Sequence, residues 1–177
     1  MLSNFRQTLA ATLHNCQPIK RIPSRQWNGR LFMELTYSLQ PEPTDEERYR
    51  IIDSLIAYNE AKAGPRNSKE FAFSVHSETG EFVGGLLGFT NWNHFFVAAV
   101  FVDQQFRRQG VGRELLKRAE ALALDQGCDA IYLDTFDFQA PGFYEKLGFK
   151  VFGKLEDYPP GHQRFYLVKR IRDSESG

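Results

Sequence analysis

An apolar, β-type run from Phe95 to Asp103 leads within a few residues into Arg107-Arg108-Gln109-Gly110-Val111-Gly112, and a strong amphipathic helix pattern starts on that loop. A strand that feeds a basic, glycine-containing turn opening a helix is a place to hold a phosphate. The first N–H groups of a helix have no partner within it, and the helix dipole favours an anion there. Gly110 and Gly112 let the backbone approach a ligand without a Cβ in the way. The loop is not a P-loop, because no Gly-Lys-Ser/Thr follows. It is not the dinucleotide fingerprint either: position 115 would have to be Gly or Ala and is Leu115, and no repeated βαβ pattern surrounds it.

The rest of the chain bounds the fold. At 177 residues, 42% hydrophobic and 14% aromatic, it suits one globular domain with a real core. The formal net charge is zero, which argues against a broad nucleic-acid surface. No apolar run approaches the ~20 residues a membrane helix needs. Cys16 and Cys128 fit no metal or redox spacing, and the four histidines include no pair at ligand spacing. No metal site and a reducing, cytoplasmic setting are therefore expected. The first thirty residues hold Arg6, Lys20, Arg21, Arg25 and Arg30 but no acid, and Leu2, Phe5, Leu9 and Leu13 share one helical face. This stretch reads either as an extension or over-called start, or as a presequence-like segment. The domain is expected over 31–172, with a polar tail at 173–177.

Periodicity orders the elements. Leu31 to Leu39 alternates as a strand. Thr44 and Glu47 form a capping box ahead of a helix with Ile51, Ile52, Leu55 and Ile56 on one face, stopped at Gly64-Pro65. Strands follow at Phe71–His76 and Phe82–Thr90, joined at Thr79-Gly80. Gly84, Gly85 and Gly88 mark a bulge or a close backbone approach in the second of these. His94–Asp103 is a central strand, then a helix presents Val111, Leu115, Leu116, Ala119, Leu122 and Ala123. Ala130–Thr135 is a buried strand, Pro141–Leu147 a short helix, and Phe149–Leu155 and Phe165–Ile171 close the chain. An antiparallel meander thus leads into one βαβ crossover, expected to be right-handed.

Two motifs on that element order resemble the GNAT family of N-acetyltransferases. Arg107 to Gly112 matches Arg/Gln-x-x-Gly-x-Gly/Ala, the family's acetyl-CoA pyrophosphate loop. Ala140-Pro-Gly-Phe143-Tyr144-Glu-Lys-Leu147-Gly148-Phe149 is similar to its Ala-x-x-Phe-Tyr-Glu-Lys-Leu-Gly-Phe segment. The resemblance covers Leu31 to Ile171. It implies an α/β fold of layered α+β type: a mixed, mostly antiparallel sheet with a V-shaped splay between the fourth and fifth strands. It also implies acetyl-CoA as co-substrate, pantetheine pairing with the backbone of Phe101, Val102 and Asp103, and pyrophosphate on Arg107, Arg108, Gln109, Gly110, Val111, Gly112 and Arg113. Tyr144 is then the acid for the departing thiolate. A phenol with a reference pKa of ~10 suits that task.

The remaining roles stay open. No Ser/His/Asp set or activated cysteine is evident, so direct attack in a ternary complex is expected. The family often carries a Glu on the fourth strand, and His94 to Val102 contains no acid. Asp134, Asp137, His94 and His162 are the candidate bases or substrate contacts, beside a water relay, while Tyr158 and Trp92 are candidate walls. Asp137 stands where the family often has Asn, seven residues before the tyrosine, and a carboxylate there is expected to face the substrate. The acceptor is expected to be a small cationic amine. A protein or peptide, an aminoacyl-tRNA, or acyl-CoA binding without catalysis are the alternatives. The domain's 17 basic against 22 acidic residues disfavour the tRNA. A homodimer is possible, since sheet edges are exposed in such folds.

Overall fold

The computed structural model describes residues 35–172. The N-terminal segment 1–30, the start of the first expected strand and the tail 173–177 lie outside the described residues. The chain divides into two units, Met1–Ile56 and Ala57–Gly177. Helix α1 (Asp45–Ala63) runs through that division. Its first turn carries the expected capping box. Thr44 Oγ1 accepts from the Glu47 N–H at 3.2 Å, and the Glu47 carboxylate accepts from the Thr44 N–H at 2.7 Å. The Thr44 N–H, and after it the Thr44 hydroxyl, which donates to the same carboxylate at 3.0 Å, hold the Glu47 carboxyl below the usual carboxylate range. Ile51, Ile52 and Leu55 are exposed, so the stripe read as a core face buries nothing among the described residues.

The expected strand over Leu31–Leu39 is corrected where it is described: residues 35–40 form no strand. Leu35, Tyr37 and Leu39 are all more than half exposed. Alternation makes a strand only where a neighbour accepts its ladder, and among the described residues no strand pairs with this segment.

The second unit is built on a six-stranded sheet. Its strands are β1 (Glu70–His76), β2 (Phe82–Asn91), β3 (His94–Val102), β4 (Ala130–Phe136), β5 (Lys150–Glu156) and β6 (Gln163–Arg170), in the order β1-β2-β3-β4-β6-β5. Only β3 and β4 run parallel. Helix α2 (Val111–Asp125) makes the crossover between them, and the short α3 (Pro141–Glu145) joins β4 to β5. Parallel neighbours need such a crossover, whereas the antiparallel pairs are joined by turns. The strands counted fourth and fifth from sequence are β3 and β4.

The core lies between α2 and one face of the sheet. Leu115, Leu116, Ala119 and Ala123 of α2 are buried with Phe95, Val97, Ile131, Leu133, Leu167 and Phe149. The 3.6-residue stripe of the helix meets the period-2 faces of three strands. Each fully buried leucine contributes roughly 1.5–3 kcal/mol relative to exposure.

The glycines of β2 mark both of the features expected from them. The β2–β3 register slips between Leu87 and Gly88, where Leu87 faces Ala99 and Gly88 faces Val97. Ala98 is the extra residue, a β-bulge. The bulge changes which face each later residue takes. Phe95 and Val97 point to the core before it, and Val100 and Val102 pack there after it. Phe101 is thereby turned to the other face, half exposed and stacked on Phe82. At Gly84 a Cβ would come 2.5 Å from the Phe101 carbonyl oxygen and 3.1 Å from the Val102 Cα. Gly84→Ala is therefore expected to cost about 1–3 kcal/mol, as overpacking does, measured by urea unfolding.

Candidate active site

Strands β3 and β4 pair over only four residues each, His94–Val97 against Ala130–Leu133. Beyond Val97 and Leu133 they separate. β3 goes on to Val102 against β2 alone, and β4 to Phe136 against β6 alone. This is a V-shaped opening whose arms carry unpaired backbone on their inner edges. The alternation of an antiparallel ladder decides which groups face it. The Asp103 N–H donates to the Val83 carbonyl at 2.8 Å, so Asp103 and, two residues back, Phe101 turn their polar backbone to β2. Val102 and Val100 turn theirs into the opening. Accordingly, the Val102 carbonyl accepts a bond from Arg107 Nε at 3.0 Å.

Of the three residues expected to meet pantetheine, only Val102 thus presents its backbone N–H to the V. Val100, which sequence reading did not single out, presents its N–H there as well. Period-2 alternation would have found it, given the partner register.

The basic loop sits at the mouth of this opening. Asp103 caps a one-turn helix, Gln104–Phe106, by accepting from the Gln105 N–H at 2.9 Å. Arg108 and Gly110 then adopt left-handed backbone, at φ 63° and 90°. The two reversals bring α2 in with Gly110 at its N-cap and no side-chain cap. Its first intrahelical bond runs from the Glu114 N–H to the Gly110 carbonyl. The N–H groups of the turn between are the ones a helix leaves for an outside acceptor. Nothing lies within 4 Å of where a Gly110 Cβ would be, so the approach is open. Among the described residues, no carboxylate pairs with Arg108 or Arg113.

The second motif converges on the first. A Cβ on Gly112 would stand 3.3 Å from Phe143 Cζ and 3.8 Å from Val102 Cγ2, so the start of α2, the tip of β3 and α3 meet there. Tyr144, next along α3, is half-buried with its ring edge-on to Phe143 and Phe149. Burial first, and then the charge of Asp134, push its phenol pKa up. The group therefore holds its proton at neutral pH and can give it to a strongly basic atom.

A parallel four-residue closure opening into a V, an uncapped glycine-started helix at its mouth and a proton-holding tyrosine beside it together fit acetyl-CoA. The sequence profile of the acetyltransferase (GNAT) family matches residues 30–149, more than half of the chain. The chain belongs to the GNAT acetyltransferase family. It is similar to the blasticidin-S acetyltransferase of Streptomyces morookaense, 42% identical over 57% of this chain and 75% of that one. An acetyltransferase of Agrobacterium fabrum is 33% identical over 71% of this chain and 92% of its own length. A crystal structure of a Bacillus cereus acetyltransferase superposes with a TM-score of 0.70 at 33% identity, covering 76% and 97% of the two chains. This GNAT protein is accordingly an N-acetyltransferase, and enzymes of the family take their acetyl group from acetyl-CoA.

Of the four acid–base candidates, Asp137 and His162 meet and Asp134 lies at the same open end, whereas His94 is set apart. β3 and β4 are parallel and open at their C-terminal ends, so His94, paired with Ala130, lies at the closed end. There its Nδ1 meets Asn93 Oδ1 at 2.8 Å and its ring abuts Tyr132. Trp92 shares that end, donating its indole N–H to the Gly64 carbonyl. At the open end Asp134 is bound by Arg164, whose Nη2 and Nε both reach Asp134 Oδ2, at 2.6 and 2.7 Å. Asp137 pairs with His162 Nδ1 at 3.1 Å. Tyr158 stands beside Phe136 and the Arg164 guanidinium.

The local turn contacts at the end of β4 fall to Gln139. Its side-chain carbonyl oxygen accepts from the Thr135 hydroxyl and the Phe136 N–H, both at 2.9 Å. Sequence reading missed Gln139 and Arg164, because neither belongs to a motif. Cys128, read as lying in a polar loop, is buried in the core, and burial pushes its thiol pKa up. A protonated, inaccessible thiol is a poor nucleophile.

Proposed function

We propose that this enzyme transfers the acetyl group directly from acetyl-CoA to the primary amine of a small cationic acceptor, with Tyr144 as the acid. The observation that carries the reading is the V beyond Val97 and Leu133, with the uncapped start of α2 at its mouth. Bound acetyl-CoA supplies an activated thioester. Val102 and Val100 offer backbone N–H groups on the open edge of β3, which hold a pantetheine as an added strand is held and polarise the thioester carbonyl. Val111, Gly112 and Arg113 offer N–H groups to the pyrophosphate, with Arg107 and Arg108 adding charge and Gln109 and Gly110 shaping the turn. Tyr144 holds a proton at its hydroxyl for the departing sulfur, and the protons lost by the attacking amine pass to water, from which the phenol is re-protonated. Position, rather than a covalent enzyme intermediate, supplies most of the rate.

A small cationic acceptor is supported by the relative named for a small antibiotic and by the excess of acidic over basic residues after residue 30. Asp137, paired with His162 and not with an arginine, is a carboxylate at the open end. A panel of small amines, read by free-thiol release from acetyl-CoA, tests the proposal. Turnover is expected with amines that are cationic at neutral pH. Silence across the panel, with acetylation of peptides or proteins instead, would overturn the acceptor class.

A further inference from the structure

Asp137 and His162 come together from two loops that lie 25 residues apart in the chain. Asp137 follows β4 and His162 precedes β6. The Asp137 N–H donates to the Gln163 carbonyl at 3.0 Å, which carries the β4–β6 pairing one step on, to the two residues themselves. His162 is fixed in its own turn as well. Its N–H donates to the Pro159 carbonyl at 2.9 Å, and its carbonyl accepts from the Tyr158 N–H at 3.0 Å. Its ring stands edge-on to Phe138, 4.9 Å between centres, and Phe138 stacks on Phe136 at 5.1 Å. The backbone and the ring are thus both held, while the side chains of His162 and Asp137 stay 47% and 36% exposed.

Register gives the face of the V on which this pair stands. Leu133 is buried in the core that α2 covers, so Asp134 and Phe136 point to the opposite face of β4. Arg164, paired with Phe136, lies 5.3 Å over the Phe136 ring and shares that face. His162 shares it too, because Phe138 bridges the rings of Phe136 and His162. On the other arm, the bulge at Ala98 turns Phe101 to the same face, half exposed. Val111 at the start of α2 and Tyr144 pack against the core, on the helix-covered face. A planar thioester held between the arms is therefore open to an amine on the face that His162 borders.

A neutral imidazole has one donor and one acceptor nitrogen, and a carboxylate only accepts. Asp137 Oδ1, 3.1 Å from Nδ1, takes the ring hydrogen there and leaves the lone pair on Nε2. Among the described residues the ring bonds through Nδ1 alone. The other charged groups around the pair are engaged elsewhere: Asp157 by the Gly161 N–H, Glu156 by Lys154, and Arg164 by Asp134.

We propose that His162 is the proton acceptor for the attacking amine and that Asp137 positions it. The inference rests on the reading of the acceptor as a cationic amine. The ammonium gives one proton to Nε2, and its freed lone pair forms the bond to the thioester carbon. The C–S bond breaks, and the sulfur takes the Tyr144 proton. The second amine proton and the one on Nε2 leave to water. Asp137 touches no reacting atom. It fixes the tautomer and steadies the ring once charged.

The test measures kcat by free-thiol release, with the most rapidly acetylated cationic amine of the panel as acceptor. Folding of each variant is checked by thermal stabilisation with acetyl-CoA, which should be unchanged. His162→Ala is expected to lose about 100-fold in kcat at neutral pH. Raising the pH makes the free amine without help from the protein, so this deficit should shrink. Added imidazole should restore the variant about tenfold and leave the unsubstituted enzyme unchanged. Asp137→Asn is expected to lose about tenfold, without rescue by imidazole. The double variant should be no slower than His162→Ala, since Asp137 then has nothing left to position.

A His162→Ala kcat that stays at the starting value, or a loss that neither pH nor imidazole relieves, overturns the proposal and leaves the pair as a fastening of the loop. If His162→Ala does not fold, His162→Gln carries the same readouts. Turnover of cationic amines with an indifferent His162 overturns this inference alone. Silence of the unsubstituted enzyme toward every cationic amine overturns the acceptor reading, and this inference with it.

Discussion

Replacing Gly110 with aspartate is expected to abolish acetyl-CoA binding in the usable range, an affinity loss of about 100-fold or more, equivalent to roughly 3 kcal/mol. Three effects point the same way. The position is left-handed at φ 90°, which costs a residue with a Cβ roughly 1–2 kcal/mol. The new carboxylate would lie at the unpaired N–H groups of α2 and satisfy them itself, as a capping side chain does. Its charge would also repel the pyrophosphate that the helix dipole now attracts. Open space around the position means that no clash confuses the result.

Thermal stabilisation by acetyl-CoA is the measurement, since a ligand that binds only the folded state raises the melting temperature by mass action. Gly110→Ala separates the contributions: it carries the backbone strain without the charge and should keep most of the stabilisation. Adding Arg108→Ala to Gly110→Asp should remove whatever stabilisation remains. Undiminished stabilisation in that double variant would sink the loop assignment.

Tyr144→Phe carries the second large expectation. Loss of a positioned general acid typically costs 10²–10⁴ in rate, and here kcat is expected to fall about 100-fold at neutral pH. The phenyl ring keeps the edge-on contacts with Phe143 and Phe149, so the fold and the acetyl-CoA stabilisation should be unchanged. A drop in kcat with an unchanged affinity for acetyl-CoA marks an interaction made in the transition state alone. The alkaline limb of the rate should vanish in this variant, because the group whose ionisation it reports is gone. A substitution that lowers affinity and rate together would instead assign Tyr144 to donor binding.

Both residues are legible in the sequence without any fold. Gly110 announces itself by standing between a basic pair and a helix stripe, and Tyr144 by its place in Phe-Tyr-Glu-Lys-Leu-Gly-Phe. Strands, helix stripes and the capping box at Thr44 were also readable, because each rests on spacing within a few residues. Leu35 to Leu39 misled for the same reason: alternation is local, but a strand needs a partner that local spacing does not name.

What the chain's order of residues could carry by itself was therefore the donor side: a glycine-started helix after a buried strand, and a tyrosine downstream on a short helix. Tertiary structure alone decided how far β3 and β4 run together, and so where the V begins. It also decided which side of β3 faces the opening, because one bulge at Ala98 exchanges the faces of every later residue. It placed His94 and His162 at opposite ends of the sheet and gave Asp134 to Arg164, thirty residues away in sequence. Long-range pairing of charges depends on strand order and register, which are settled by burial of the whole core and not by any short stretch of residues.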